Sequence, residues 1–279
     1  MSRGRRADLA EPLARTLEAA GKQLLLVVTG AGVSAPSGIP TFRGDDEDAI
    51  WKRDPIEMAT RRFFEADPVS HWRWYHARFE AVLGARPNPA HFALAALERW
   101  QIARGGEFLL VTQNIDTLHE DAGSEELIKV HGSAARVRCA RTGCRFGAPE
   151  GSLARDDVDF DPFARGPAHE TLPRCPACHY LLRPHVLLFD EYYHEHRDYQ
   201  FSRVENSVER MRVVLFVGTS FSVGVTELVL RGALLRGVPA YSVDPRASGN
   251  IPARELTAQA ELLLPEVCRQ LGIPDEALG

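Results

Sequence analysis

The 279 residues are 44% hydrophobic and 25% charged, enough apolar content to bury a full core in one large domain or two ordinary ones. The formal charge of −5 is spread along the sequence, so no basic stripe marks a nucleic-acid partner and no polybasic run marks an anionic membrane. The most apolar runs, Leu24 to Val28, Val186 to Phe189 and Val213 to Val217, are too short to cross a bilayer, and no apolar signal-peptide stretch follows the basic start Met1 to Arg6, so a cytoplasmic location is expected.

In chain order, a helix-like run over Asp8 to Ala20 precedes a short strand, Leu24 to Thr29, which stops at Gly30 and Gly32 and is followed by Ser34. That is the order of a strand feeding a phosphate-facing loop. Asp45 to Arg86 carries aromatics at roughly helical spacing, among them Trp51, Phe63, Trp72, Tyr75 and Phe79, and reads as a helical lobe over a nucleotide cleft. Further strands are expected at Phe108 to Thr112, Val186 to Phe189, Val213 to Val217 and Val238 to Val243, with helices such as His91 to Trp100 and Thr226 to Leu235 between them. This rhythm predicts an α/β fold, a doubly wound, mostly parallel sheet. From His131 to Arg183 the pattern gives way to Gly, Pro, Arg and Asp with two cysteine pairs, which marks an inserted small module.

Several blocks carry chemistry. The loop Gly30-Ala31-Gly32-Val33-Ser34 is either an ordinary tight turn or a place where the backbone approaches a pyrophosphate, with free amides and a helix N-terminus supplying partial positive charge. In Thr112-Gln113-Asn114-Ile115-Asp116 the polar groups fall at a strand's C-terminal end, where open α/β sheets gather ligands, although Asn and Asp also cap loops. His131, in Val130-His131-Gly132-Ser133, is either a packed imidazole or a base that titrates near neutrality. Cys139 and Cys144 have four residues between them, Cys175 and Cys178 have two, and thirty residues separate the pairs. Such spacing indicates one structural zinc, since four thiolates close the tetrahedron and leave no place for a reacting water. Tyr75 and Arg78 are three apart, hence on one helix face, and by composition alone make a solvated face with an aromatic anchor.

Taken together the blocks resemble the sirtuin family. Gly30 to Ser34 runs into Gly38-Ile39-Pro40-Thr41-Phe42-Arg43-Gly44 as the family's GAG-S loop runs into GIP-FR. The second block, followed by Leu118-His119 and Ala122-Gly123, is similar to TQNID–LH–AG, and His131-Gly132 to the family's HG. Leu182-Arg183-Pro184-His185-Val186-Leu187-Leu188-Phe189-Asp190-Glu191 resembles LRP–V–FGE, Gly218-Thr219-Ser220 the GTS segment, and Ser242-Val243-Asp244 the adenosine-facing segment. The resemblance implies a Rossmann-like sheet with a zinc module and a helical lobe, divided as 1–45, 89–131 and 184–279 for the NAD-binding part, 46–88 for the lobe and 132–183 for the zinc module. It further implies an enzyme that consumes NAD to remove the acyl group from an acylated lysine in a protein or peptide, releasing nicotinamide and O-acyl-ADP-ribose.

The implied roles follow the motifs. His131 is the general base, Asn114 with Gln113 holds the nicotinamide ribose, and Asp116 lies beside the nicotinamide amide. Gly30, Ala31, Gly32, Ser34, Phe42, Arg43, Gly218, Thr219, Ser220 and Asp244 contact the rest of NAD, while Val186, Phe189 and Val223 meet the peptide. Tyr75 and Arg78 match the pair with which class III sirtuins hold the carboxylate of succinyl-lysine or malonyl-lysine. Thr41, the HGS at His131 and the RPH at His185 also point to class III. Three positions depart from the pattern. Asp190 replaces a glycine, where a side chain bears on an approaching peptide strand and on a positive φ angle that Asp tolerates better than most residues; Val225 replaces a proline, and Asp244 replaces an asparagine. The alternatives are an NAD glycohydrolase or ADP-ribosyltransferase, or a nucleotide-sensing scaffold without turnover.

Overall fold

Strands covered on both faces have no solvent side, so they read as unbroken apolar runs rather than alternating ones. The computed structural model describes residues 3–40, 55–222, 224–246, 249 and 251–279. Helix α1 (Arg3–Ala19) leads into strand β1 (Leu24–Thr29), all six residues of which are buried. The lobe follows as α2 (Pro55–Met58), α3 (Arg61–Ala66) and α4 (Pro68–Gly84), and then come α5 (Pro89–Ala103), β2 (Glu107–Thr112), α6 (Leu118–Asp121) and β3 (Leu127–Lys129). The small module holds β4 (Gly132–Cys139), β5 (Leu153–Ala154), α7 (Asp161–Arg165) and β6 (Leu182–Val186). The chain closes with α8 (Phe201–Arg210), β7 (Met211–Val217), α9 (Gly224–Leu235), β8 (Ala240–Asp244), β9 (Arg254–Thr257) and α10 (Ala260–Gln270).

The large sheet has six parallel strands in the order β3-β2-β1-β7-β8-β9. Alternate residues serve its two faces. Leu25, Val27, Leu110 and Leu215 pack with α1, α5 and α10, whereas Leu26, Val28, Val111 and Phe216 pack with α8 and α9. The order reverses between β1 and β7, and open α/β sheets bind their ligands outside the carboxyl ends of the strands at such a switch point.

One expected strand is absent from this sheet. The run Val186 to Phe189 does not join it; Leu182–Val186 instead pairs antiparallel with β4 in a separate three-stranded sheet, β5-β4-β6. Two of the run's four residues are buried, and by the lobe rather than by sheet helices: Val186 and Leu188 pack with Ala59, Trp74, Tyr75 and Phe79, while Phe189 is 51% exposed. Trp72, fully buried, donates from its indole nitrogen to the Leu182 carbonyl at 2.8 Å. Lobe and small sheet thus form a second layer facing the crevice. Among the described residues no helix is long and apolar enough to cross a membrane.

Candidate active site

The loop after β1 and the loop after β7 meet backbone to backbone. A Cβ on Gly32 would lie 2.7 Å from the Gly218 Cα, and one on Gly218, whose φ is +59°, would lie 2.3 Å from the Val33 nitrogen. Only glycines allow that approach. The amides of Gly30 and Gly32 donate to the carbonyls of Val217 and Gly218 at 3.1 and 2.9 Å, and those of Val33 and Ser34 donate back to Gly30 and Ala31. The expectation that this loop offers a row of free amides is therefore corrected. Gly30 and Gly32 spend theirs in fastening the two loops together and Val33 and Ser34 theirs within their own turn, and the glycines act through shape.

The strand-end block is locked to the same loop. Asn114 donates from its side-chain nitrogen to the Gly30 carbonyl at 3.1 Å and to the Ser34 hydroxyl at 3.0 Å, and Ser34 donates on to the Asp116 carboxylate at 2.9 Å. The other Asp116 oxygen accepts from the Leu118 amide at 3.1 Å, two residues on, so the local turn-capping reading holds for this residue. Burial raises the Asp116 pKa, and the Lys129 ammonium donates to its backbone carbonyl. Gln113 points the other way, donating to Thr29 O and Thr219 Oγ1 at 3.1 and 3.2 Å.

His131 stands where the chain leaves one sheet for the other. Val130 continues the β3 side, its amide donating to Thr112 O at 3.1 Å, while Gly132 already pairs with Val186 in the small sheet. A side chain at Gly132 would meet the His185 carbonyl at 2.1 Å. The imidazole Nδ1 lies 2.8 Å from the Gln113 carbonyl oxygen, and the ring is held neutral by burial, its pKa lowered to about 4.

All the predicted nucleotide and substrate residues that the structure describes line a single cavity of about 700 Å³ at the switch point: Gly30, Ala31, Gly32, Ser34, Gln113, Asn114, Asp116, His131, Gly218, Thr219, Ser220 and Asp244 on the sheet side, and Tyr75, Arg78, Val186 and Phe189 on the other. Phe42, Arg43 and Val223 lie outside the described residues. Burial raises the Asp244 pKa, and its carboxylate accepts from the Arg246 amide at 2.9 Å. Tyr75 is buried and its phenol is pushed up by burial, while the Arg78 guanidinium lies 3.9 Å over the Trp74 ring. Asp190 has partners of its own. Its carboxylate turns to the start of α3 and accepts from the amides of Arg61 and Arg62 at 2.6 and 3.1 Å. Glu191 beside it is buried between two arginines, accepting from Arg138 at 3.1 Å and from both Arg183 amino groups. Burial alone would raise the Glu191 pKa, but Arg183 and Arg138 carry it below the ordinary value.

Sequence reasoning missed Tyr193, Arg246, Ala59 and Val82, which also line the cavity. Asn88 was missed as well. It caps α5 through the Ala90 amide and donates to Val33 O at 2.8 Å and Ser37 Oγ at 2.9 Å, which braces the glycine loop from behind. Asn88-Pro89 was the available signal, a capping residue before a first-turn proline.

The four cysteines of the small module converge, with all four sulfurs within 4.8 Å of one another. Cys139 and Cys178 are 3.5 Å apart and Cys144 and Cys175 3.7 Å, and none forms a disulfide. A tetrahedral Zn–S distance of about 2.3 Å implies edges of about 3.8 Å, so the donor set fits zinc.

The sequence model of the Sir2 family matches residues 30–225. The chain belongs to the Sir2 family. This sirtuin is 39% identical to an NAD-dependent protein deacylase of Thermus thermophilus over 86% of the chain and 89% of that protein. To NAD-dependent protein deacylase 1 of Pseudomonas aeruginosa it is 37% identical, over 90% and 95%. Among solved structures it is similar to a Sir2 homologue in complex with NAD, at a TM-score of 0.76 and 35% identity over 96% of this chain and 95% of the other. A Sir2–p53 peptide–NAD⁺ complex matches at a TM-score of 0.75 and 26% identity over 95% and 99%.

Proposed function

We propose that this sirtuin removes acyl groups from lysine side chains of proteins, with NAD as a consumed co-substrate. The observation that carries the reading is the convergence of Ser34, Asn114, Asp116 and His131 on one cavity at the switch point of a Sir2-family sheet. NAD, when bound, supplies a leaving group in nicotinamide and a ribose that takes up the acyl group. Asn114, fixed by Gly30 and Ser34, orients the ribose together with Gln113, and Asp116 accepts from the nicotinamide amide. Gly30, Ala31, Gly32, Gly218, Thr219 and Ser220 give the phosphates a close-fitting wall, and Asp244 accepts from the adenosine ribose, as a carboxylate can. Because a carbonyl only accepts, His131 carries its proton on Nδ1, and Nε2 is left to take a proton from a ribose hydroxyl.

Val186 and Phe189 edge the path of the substrate peptide, and Tyr75 with Arg78 closes the acyl pocket, where a guanidinium suits a carboxylate-bearing acyl such as succinyl or malonyl. Zinc, held by Cys139, Cys144, Cys175 and Cys178, belongs to the folding of the small module. Thiols kept as ligands rather than disulfides fit a reducing compartment, which supports a cytoplasmic location. The division we propose is an NAD-binding part in 1–45, 89–131 and 184–279, the lobe in 46–88 and the zinc module in 132–183.

The test is acyl loss from lysine peptides with and without NAD, followed by mass spectrometry. NAD breakdown that needs an acylated peptide and yields free lysine supports deacylation. Breakdown without peptide would instead favour a glycohydrolase.

A further inference from the structure

The imidazole of His131 is held from both sides. With Nδ1 protonated toward Gln113, Nε2 presents only a lone pair, and the atom facing it is the Tyr193 hydroxyl at 3.3 Å. The two rings stack with centroids 5.8 Å apart and planes 18° apart. The Tyr193 ring is in turn stacked on Phe201, at 4.2 Å and 8°. The backbone amide of Val225, in the first turn of α9 where amides have no partner within the helix, bears on its oxygen and favours the charged form of the phenol, against burial. With that amide on the acceptor side, the single phenolic hydrogen is left for Nε2. Proline at 225 would have no amide to give.

We propose that Tyr193 is a positioning residue for His131: its hydroxyl, anchored by the Val225 amide, donates to Nε2 and holds the imidazole neutral, protonated on Nδ1 and turned into the cavity. The proposal rests on His131 acting as the general base and adds the group that sets its angle and reinforces the tautomer fixed by Gln113. Other titratable or charged groups lining the cavity are Tyr75, Arg78, Asp116, Glu191, Asp244 and Arg246, and among the described residues only Gln113 and Tyr193 hydrogen-bond the ring. The Tyr193 bond is longer than the usual range, so it is weak enough for an arriving ribose hydroxyl to take its place on the same lone pair. A bond donated to Nε2 favours the neutral ring and lowers its pKa. Its loss must raise the pKa, by about half a unit for a weak neutral hydrogen bond.

Tyr193→Phe keeps the ring stack and removes only the hydroxyl, while Val225→Pro removes the anchoring amide at a helix position that tolerates proline. The experiment is an NMR titration of His131 in the unliganded wild-type protein and both variants, with the resonance assigned by its absence in His131→Ala. It is paired with kcat/KM for NAD against pH. Tyr193→Phe should raise the His131 pKa by about half a unit and move the acid limb of the profile up with it; Val225→Pro should give a smaller shift in the same sense. An unchanged His131 titration in Tyr193→Phe overturns the proposal. Because the titration needs no substrate, it decides the contact even if the wild-type protein proves not to deacylate lysine.

Discussion

Arg78→Met separates acyl selectivity from catalysis. The Arg78 guanidinium lies over the Trp74 ring at 3.9 Å and donates to the Trp74 carbonyl at 2.8 Å, so the side chain is already held against α4 and has little rotamer freedom left to lose on meeting a carboxylate. Burial lowers its pKa, but a guanidinium remains charged at neutral pH. A charge-assisted hydrogen bond to a succinyl carboxylate is worth about 1.5–3 kcal/mol. Arg78 is only partly buried, so solvent screening favours the lower half of that range, or roughly a 13- to 45-fold loss in kcat/KM on succinyl-lysine. Methionine keeps the apolar stem over Trp74, and an acetyl group offers no carboxylate, so acetyl-lysine turnover should change little. The assay uses one peptide sequence with only the acyl group varied, read by mass spectrometry. Equal losses on both acyl groups would refute the reasoning and make Arg78 a support of the lobe. A wild-type enzyme blind to succinyl-lysine would remove the acyl assignment altogether.

His131→Ala should lower deacylation about 100-fold or more while NAD affinity, measured by calorimetry, stays close to wild type; near-normal turnover would take His131 out of the chemistry. Elemental analysis should find one zinc per chain, and Cys175→Ala should lose it and expose 132–183 to protease before the large sheet opens; a metal-free protein with an intact small module would contradict this. Burial holds His71 at about 3 and His91, His131 and His185 at about 4, against an ordinary 6.5. The unfolded chain therefore binds protons first as the pH falls, and stability that is whole above about pH 6.5 is lost toward about pH 4, by up to ~1.4 kcal/mol per histidine per pH unit. A melting temperature that stays flat across that window would argue against buried neutral histidines. Asp190→Ala should cost α3 about 1 kcal/mol of capping and raise the peptide KM more than it changes kcat, with faster hydrogen exchange over 55–66; unchanged exchange there would show the cap to be idle.

What the sequence made legible is what backbone sterics and burial enforce. The parallel strands showed because burial on both faces leaves unbroken apolar runs such as Leu24 to Thr29, and the site showed because a switch point collects strand-end loops in a fixed order. Val186 to Phe189 misled for the same reason: Val186 and Leu188 are apolar because the lobe covers them, and burial does not say by which layer. Strands β3 and β9 are short or lie at the sheet's edges, so no apolar run announced them. Asp190 was legible as a departure, but only the position of α3 shows that its carboxylate has two amides to meet. Tyr193 opens a single 3-10 turn, Tyr193–Glu195, too short to show a period in the sequence, and its nearness to His131 is set by contacts across 62 residues of chain.

The small sheet has a use for anyone who wishes to graft parts between relatives. The module hangs from two neighbouring strands, and its root, where Gly132 pairs with Val186 and the Leu187 amide donates to His131 O at 2.9 Å, touches the imidazole's own backbone. A splice placed beyond that root, after Cys139 and before Leu182, can change the length and content of the cassette and leave the ladder in register. A splice of one residue inside it would turn successive side chains to the opposite face and carry His131 away from Gln113. Exchangeable and untouchable segments of this fold therefore lie a few residues apart, and the line between them follows the ladder rather than the distance from the metal.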